Sequence, residues 1–203
     1  MRYEKIYLAS NSPRRRALLQ QIGVRFEHLP LPSSANGNII DEDRLPDESP
    51  RDYVERVSRD KARFAWHWIE QNQLPLLPVL SADTVVSINS KILWKPQNRQ
   101  EAMHTTKALS GRTHSVLTSV CVKTNDATLQ MTQESEVRFA VLSDREIDAY
   151  CQTEEPYDKA GGYAIQGKAA KFITYISGSY SGIMGLPLYE TVQLLCKAGV
   201  YVP

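Results

Sequence analysis

The run 80-LSADTVVSI-88 decides how this chain is read. It is nearly continuous in apolar and small residues and rich in β-branched types, which predicts a central strand buried on both faces. One carboxylate, Asp83, lies inside it. A buried carboxylate is costly unless it is hydrogen-bonded, ion-paired or metal-bound. Asp83 is therefore either satisfied by nearby backbone or an arginine, or it is a working group, a base or a metal ligand. Downstream, Asn89-Ser90 turns the strand into a short partner, Ile92-Leu93-Trp94, and Lys95-Pro96 follows.

Upstream, residues 5–9 (KIYLA) read as a short strand. Ser12 is then an N-cap with Pro13 at the first helical position, and Gly23 ends that helix before a second strand at 24–28. Residues 29–38 (LPLPSSANGN) have loop composition. Ser49-Pro50 opens a long helix running to about Gln71, with Asp52 placed as the acidic member of a capping box. After the central strand come a helix over 99–109, closed by Gly111, and two strands at 113–123 and 128–141 joined through Asn125-Asp126. A helix capped by Ser143 follows, then a Gly-rich loop at 158–167, a strand at 172–176, a second Gly/Ser loop and a final helix to about Ala198. The pattern is mixed α/β.

Twenty-four Lys and Arg against 23 Asp and Glu give a net charge of +1, so nothing pulls the chain at long range toward DNA or acidic membranes. Any anion binding has to be local. With 42% hydrophobic residues the chain lies outside the disordered regime, and its length suits one domain with two lobes. Cys121, Cys151 and Cys196 form neither a disulfide framework nor a zinc motif. No stretch has the chemistry of a signal peptide or a lipid-spanning helix, so the expectation is a soluble cytoplasmic protein.

Two further positions break local rules. Arg14, Arg15 and Arg16 occupy the first turn of a helix, where the dipole repels each cation by about 0.3–1 kcal/mol. They make either a solvated basic turn or a phosphate site of free N–H groups and guanidinium forks. In the long helix Val54, Val57, Ala65 and Trp68 form an apolar stripe, and Lys61 falls on it. Its ammonium either snorkels to solvent or meets an anion. Asp41-Glu42-Asp43 fit a solvated acidic turn or a ligand set, and Glu154, Glu155 and Asp158 read as a solvated loop. Gln166 either caps a loop or reads a ligand edge through its amide. Walker, dinucleotide-binding and nucleophile-elbow motifs are missing, and the four histidines lack metal-ligand spacing.

Taken together, the motifs resemble the Maf family of nucleotide pyrophosphatases. Leu8-Ala9-Ser10-Asn11-Ser12-Pro13-Arg14-Arg15 is similar to that family's S-x-S-P-R-R signature, and Ser81-Ala82-Asp83-Thr84-Val85-Val86 to its A-D-T strand. Lys95-Pro96 follows at the expected distance. Residues 158–167 (DKAGGYAIQG) resemble its D-K-A-G-x-Y-x-I-Q-G stretch, and Gly178-Ser179-Tyr180 through Gly185-Leu186-Pro187 its closing loop. The resemblance spans nearly the whole chain, in order. Two departures stand out: Arg16 extends the arginine pair, and residues 33–38 look like an insertion before Glu42.

The resemblance implies a mixed α/β fold with an extended central sheet and a cleft between two lobes, usually in a homodimer. It implies hydrolysis of a nucleoside triphosphate to the monophosphate and pyrophosphate by water attack at the α-phosphorus. Asp83 would be the proton acceptor, with Lys61 and Lys95 supplying charge. Ser10, Ser12, Arg14 and Arg15 would cradle the triphosphate, and Glu42 and Asp83 would hold Mg²⁺ or Mn²⁺. Arg14, Thr84 and Gln166 are where the resemblance places specificity. Gln166 in Y-x-I-Q-G is similar to the branch that cleaves dTTP and UTP, and an amide that both donates and accepts suits a pyrimidine O4 and N3–H. A second reading has the chain sense nucleotides in septum formation or division arrest, with hydrolysis incidental. Nucleic-acid binding through residues 14–16 is disfavoured by the near-neutral charge.

Overall fold

The strand carrying Asp83 is the axis of the sheet. The computed structural model describes residues 2–29, 31, 40 and 42–203, so the insertion at 33–38 and Asp41 lie outside the described residues. The elements are β1 (Ile6–Leu8), α1 (Pro13–Gln21), β2 (Phe26–His28), α2 (Pro50–Gln71), β3 (Val79–Ile88), β4 (Lys91–Leu93) and α3 (Arg99–Leu109). They continue with β5 (Thr113–Lys123), β6 (Thr128–Phe139), α4 (Asp144–Cys151), β7 (Ile173–Ser177), α5 (Tyr180–Met184) and α6 (Leu188–Lys197). Short 3₁₀ turns at Glu155–Asp158, Ala160–Gly162 and Lys168–Phe172 shape the glycine-rich segment. The fold is mixed α/β, a mixed sheet of order β2-β1-β3-β5-β6-β7 with β4 paired to β3 and helices on both faces.

Alternation along β3 explains its continuous apolar sequence. Val79 packs toward α2 with Tyr7, Ala65, Trp66 and Ile69, whereas Leu80 packs on the opposite face with Leu18, Leu19, Leu194 and Leu195. At the far end Val85 meets Tyr53, Val54 and Val57 of α2, and Val86 meets Val116, Phe139 and Tyr163. Ser58, Ala62 and Ala65 keep the inner face of α2 small. The helix therefore sits close enough for Ser81 Oγ to donate to the Ser58 carbonyl at 2.7 Å and Ser58 Oγ to Ser119 Oγ at 2.9 Å. Trp66, not Trp68, is the buried tryptophan of this helix, and Trp68 packs half-buried against the same cluster. Ser49 caps α2 by accepting from Asp52 N–H at 3.1 Å, but its hydroxyl also binds the Asp52 carboxylate at 2.6 Å. The reciprocal box forms instead at Ser143 and Glu146.

The register of β3 opens a gap that positions everything below. One edge of β3 pairs antiparallel with β5 from Val79 to Ser87. The other edge pairs with β1 only at Val79 and Leu80, then with β4 from Val86 to Ile88. Between these two partners, residues 82–85 have no strand on that edge among the described residues. Asn89 and Ser90, both at positive φ (50° and 60°), make the tight turn that brings β4 back. Among the described residues no helix is long and apolar enough to cross a membrane.

Near the start of β5, His114 is 3% exposed, its Nε2 2.7 Å from the Tyr163 hydroxyl and its Nδ1 buried without a partner among the described residues. Burial pushes its pKa down to about 4. Between that value and the ordinary 6.5 the unfolded chain binds the extra proton, so stability falls as pH drops through this window. About 2 kcal/mol should be lost from pH 7.5 to 5 through this group. Urea melts at both pH values should show that loss, and His114→Gln should remove about that much of the pH dependence.

Candidate active site

The gap at 82–85 forms the floor of a cleft of about 680 Å³. Because side chains alternate across a strand, Asp83 faces α2 and Thr84 faces the opposite layer, and the cleft reaches both.

On the Asp83 side, Lys61 comes off the inner face of α2. Its Nζ lies 2.7 Å from Asp83 Oδ1 and 2.9 Å from Glu42 Oε1, with the Lys61 and Asp83 side chains each 13% exposed. The buried carboxylate is thus satisfied by a lysine, not by backbone or an arginine, and the lysine on the apolar stripe meets anions instead of snorkelling. Burial alone would lower the Lys61 pKa. Asp83 and Glu42 outweigh it and hold Lys61 above its ordinary value, so it stays cationic through neutral pH. Tyr53 donates from its hydroxyl to the Glu42 carbonyl at 2.9 Å, which ties the Glu42 segment to α2. Burial, followed by the charges of Asp83 and Glu42, raises the Tyr53 phenol well above its usual value and keeps it a neutral donor.

On the Thr84 side stands the N-terminus of α1. Ser12 Oγ accepts from Arg15 N–H at 3.4 Å; Ser10 Oγ accepts from Ser12 N–H at 3.2 Å and from Arg15 Nη1 at 3.3 Å. Both hydroxyls act as acceptors here, leaving their protons available to a ligand. Arg15 is spent as a clamp. Its Nε donates to the Gly185 carbonyl at 2.8 Å and its Nη2 to Thr84 Oγ1 at 3.2 Å, joining α1, β3 and the loop after α5. Burial lowers its pKa and Asp83 opposes that shift. Gly185, at φ 113°, lets its backbone close over Arg15 and Thr84. Thr84 Oγ1 is also 2.9 Å from Thr118 Oγ1, which donates to the Gly182 carbonyl at 2.8 Å. Arg14 instead lines the cleft with its guanidinium only loosely paired, 3.7 Å from Asp158. Arg16 turns away to the Asn11 carbonyl.

The third wall is the glycine-rich segment. Gly161 at φ 66° lies flat on Val86, where a Cβ would come within 2.7 Å of that side chain. Gln166 lines the cleft, exposed, with no described partner for its amide. What holds this loop is Glu155, expected from sequence to be solvated. Its carboxylate accepts from the N–H groups of Ala164 (3.4 Å), Lys168 (2.5 Å) and Ala169 (3.1 Å) and from the Tyr150 hydroxyl (3.1 Å). A local charge count gave no sign of this, because the partners lie 5 to 14 residues away. Lys159 also lines the cleft, bonded to Asp158 and to the Glu155 carbonyl. Lys95 lines the far end, exposed. All the residues singled out for the site by sequence therefore border one cleft.

Two carboxylates, Glu42 and Asp83, converge on one point, and the second oxygen of each has no described partner. Among the described residues no three His, Cys, Asp or Glu side chains gather as a metal group. A pair of hard oxygen donors beside a helix N-terminus that carries arginines fits Mg²⁺ or Mn²⁺, which take one or two carboxylates and fill the rest of the shell with water and phosphate oxygens.

The chain matches the family model described as Maf-like protein over residues 5–198. It is 50% identical over 198 residues to a dTTP/UTP pyrophosphatase of Nitrosomonas europaea, covering 97% of this chain and 96% of that protein. A dTTP/UTP pyrophosphatase of Nitrosospira multiformis is 49% identical over 200 residues, covering 98% and 96%. A nucleoside triphosphate pyrophosphatase of Haemophilus ducreyi is 46% identical over 200 residues, covering 98% of each chain.

Proposed function

The chain belongs to the Maf-like protein family, and on that premise we propose that it hydrolyses dTTP and UTP to the monophosphate and pyrophosphate. The observation that carries this reading is the Lys61–Asp83–Glu42 cluster sharing one cleft with the arginine-bearing N-terminus of α1.

The triphosphate lies along the α1 terminus. Free N–H groups of the first turn, the hydroxyl protons of Ser10 and Ser12, and Arg14 face its oxygens. Arg15, locked by Thr84 and Gly185, fixes the position of that terminus and adds a charge that cannot swing away. Glu42 and Asp83 would hold Mg²⁺ or Mn²⁺, which when bound neutralises phosphate charge and acidifies a coordinated water. Asp83 takes a proton from the attacking water as its oxygen bonds to the α-phosphorus. The α–β anhydride bond breaks, and its electron pair leaves on pyrophosphate toward Lys95, while Lys61, 2.7 Å from Asp83, supplies charge on the side of the attacking water. Fixed charges aimed at the departing oxygens need no reorganisation during the reaction, which is where most of the acceleration in such transfers arises. The Gln166 amide meets the pyrimidine edge, donating to O4 and accepting from N3–H. Cytoplasmic residence and a homodimer complete the reading.

The test is the product set from UTP, dTTP and the purine triphosphates with Mg²⁺. UMP or dTMP with pyrophosphate, faster than any purine product, is expected; a nucleoside diphosphate with orthophosphate would contradict it.

A further inference from the structure

The groups assigned above serve the triphosphate and one edge of the base, and leave the flat face of the base without a partner. Base rings bind by stacking on aromatic side chains, which is strong and tolerant because every base has a π-face. Among the described residues, three aromatic side chains line the cleft. Tyr53 is 3% and Tyr163 6% exposed, both committed to the core, whereas Trp94 is 49% exposed. We propose that Trp94 is the stacking platform for the pyrimidine ring of the substrate, an inference that rests on the hydrolase reading.

The indole is held by the strand pairing of its neighbour and by one ring contact. Its neighbour Leu93 is in register with Val86 of β3, and its ring meets Tyr53 edge-on, centroids 5.3 Å apart at 79°. An edge-on contact to Tyr53 is favourable in itself and leaves an indole face open. A platform fixed before binding loses little freedom on stacking. Trp94 is also tied to the wall that carries Gln166. Pro96, two residues on, is buried against Gly162, where a Cβ would come within 3.1 Å of its ring. The face supplied by Trp94 and the edge supplied by Gln166 thus belong to segments that pack on each other. Lys95 lies between Trp94 and Pro96, which places a cation beside the platform for the phosphate side of the same ligand.

The test compares UTP with ribose 5-triphosphate, which carries the sugar and phosphates but no base. Trp94→Ala should raise KM for UTP roughly 10- to 100-fold, with kcat within a few-fold, and leave KM for ribose 5-triphosphate unchanged. Trp94→Phe should recover most of the loss. Trp94→Leu keeps apolar bulk against Tyr53 and should show the same rise in KM for UTP, which decides the matter where the alanine variant disturbs folding. In the wild type, non-hydrolysable α,β-imido-UTP should quench part of the tryptophan emission, and Trp94→Phe should abolish that quench while Trp66 and Trp68 still emit. An unchanged KM for UTP in both Trp94→Ala and Trp94→Leu, or an equal rise for ribose 5-triphosphate, would overturn the proposal. The fluorescence titration needs no turnover, so an inactive wild type would fail the hydrolase reading while the quench still decides the stacking.

Discussion

Asp83→Asn is expected to lower kcat for UTP and dTTP by about 10³-fold while the protein stays folded. Asparagine has the size of aspartate and keeps an oxygen that accepts from Lys61 Nζ, now 2.7 Å from Asp83 Oδ1. It has no basicity to take the proton of water and is a weak ligand for a hard cation. Removing one partner of a buried ion pair usually destabilises by several kcal/mol, because the remaining charge is stranded. Here Glu42, 2.9 Å from the same ammonium, remains as counter-charge, so a loss of no more than about 2 kcal/mol is expected. Steady-state turnover beside a urea melt separates the two effects. A folded Asp83→Asn protein with wild-type kcat would remove Asp83 from the chemistry.

Gln166→Glu should lower kcat/KM for UTP and dTTP by about 10²-fold and leave the melting midpoint in place. The side chain is exposed and its amide has no described partner, so the folded state loses nothing. A carboxylate cannot donate to O4 and repels it, whereas an amide there would serve both polar atoms of the pyrimidine edge, as proposed. Relative rates across UTP, dTTP, CTP and GTP give the readout. An unchanged ranking would mean that the amide does not read the base.

Most of the site was legible because its residues violate folding rules where they stand. Asp83 interrupts a buried strand, Lys61 interrupts an apolar stripe, and Arg14 and Arg15 crowd the positive end of a helix dipole. Each is unfavourable alone, and the cleft brings the opposite charges together. Strand and helix order was readable for the same reason: periodicity and caps are local. β2 begins at Phe26 and β6 ends at Phe139, inside the segments the periodicity marked, since pairing rather than propensity sets where a strand stops.

What sequence did not disclose depends on distant partners. Glu155 looks like one of three loop acids, and only the fold shows three backbone N–H groups turned toward it. Arg14 and Arg15 are indistinguishable in sequence, yet one is a clamp and the other faces the cleft. The gap at residues 82–85 exists only because β1 and β4 pair with different halves of one edge of β3. Trp94 reads as the end of a short strand, and only the fold shows its half-exposed ring set edge-on against the buried Tyr53.

Hydrolysis of UTP with Mg²⁺ in water enriched in oxygen-18 tests the central claim most directly. Attack at the α-phosphorus, with Asp83 accepting the proton of that water, predicts one labelled oxygen in UMP and none in pyrophosphate. Label in pyrophosphate would place attack at the β-phosphorus, and labelled orthophosphate with UDP would place it at the γ-phosphorus. Either result would contradict the chemistry assigned to Asp83, Lys61 and Glu42.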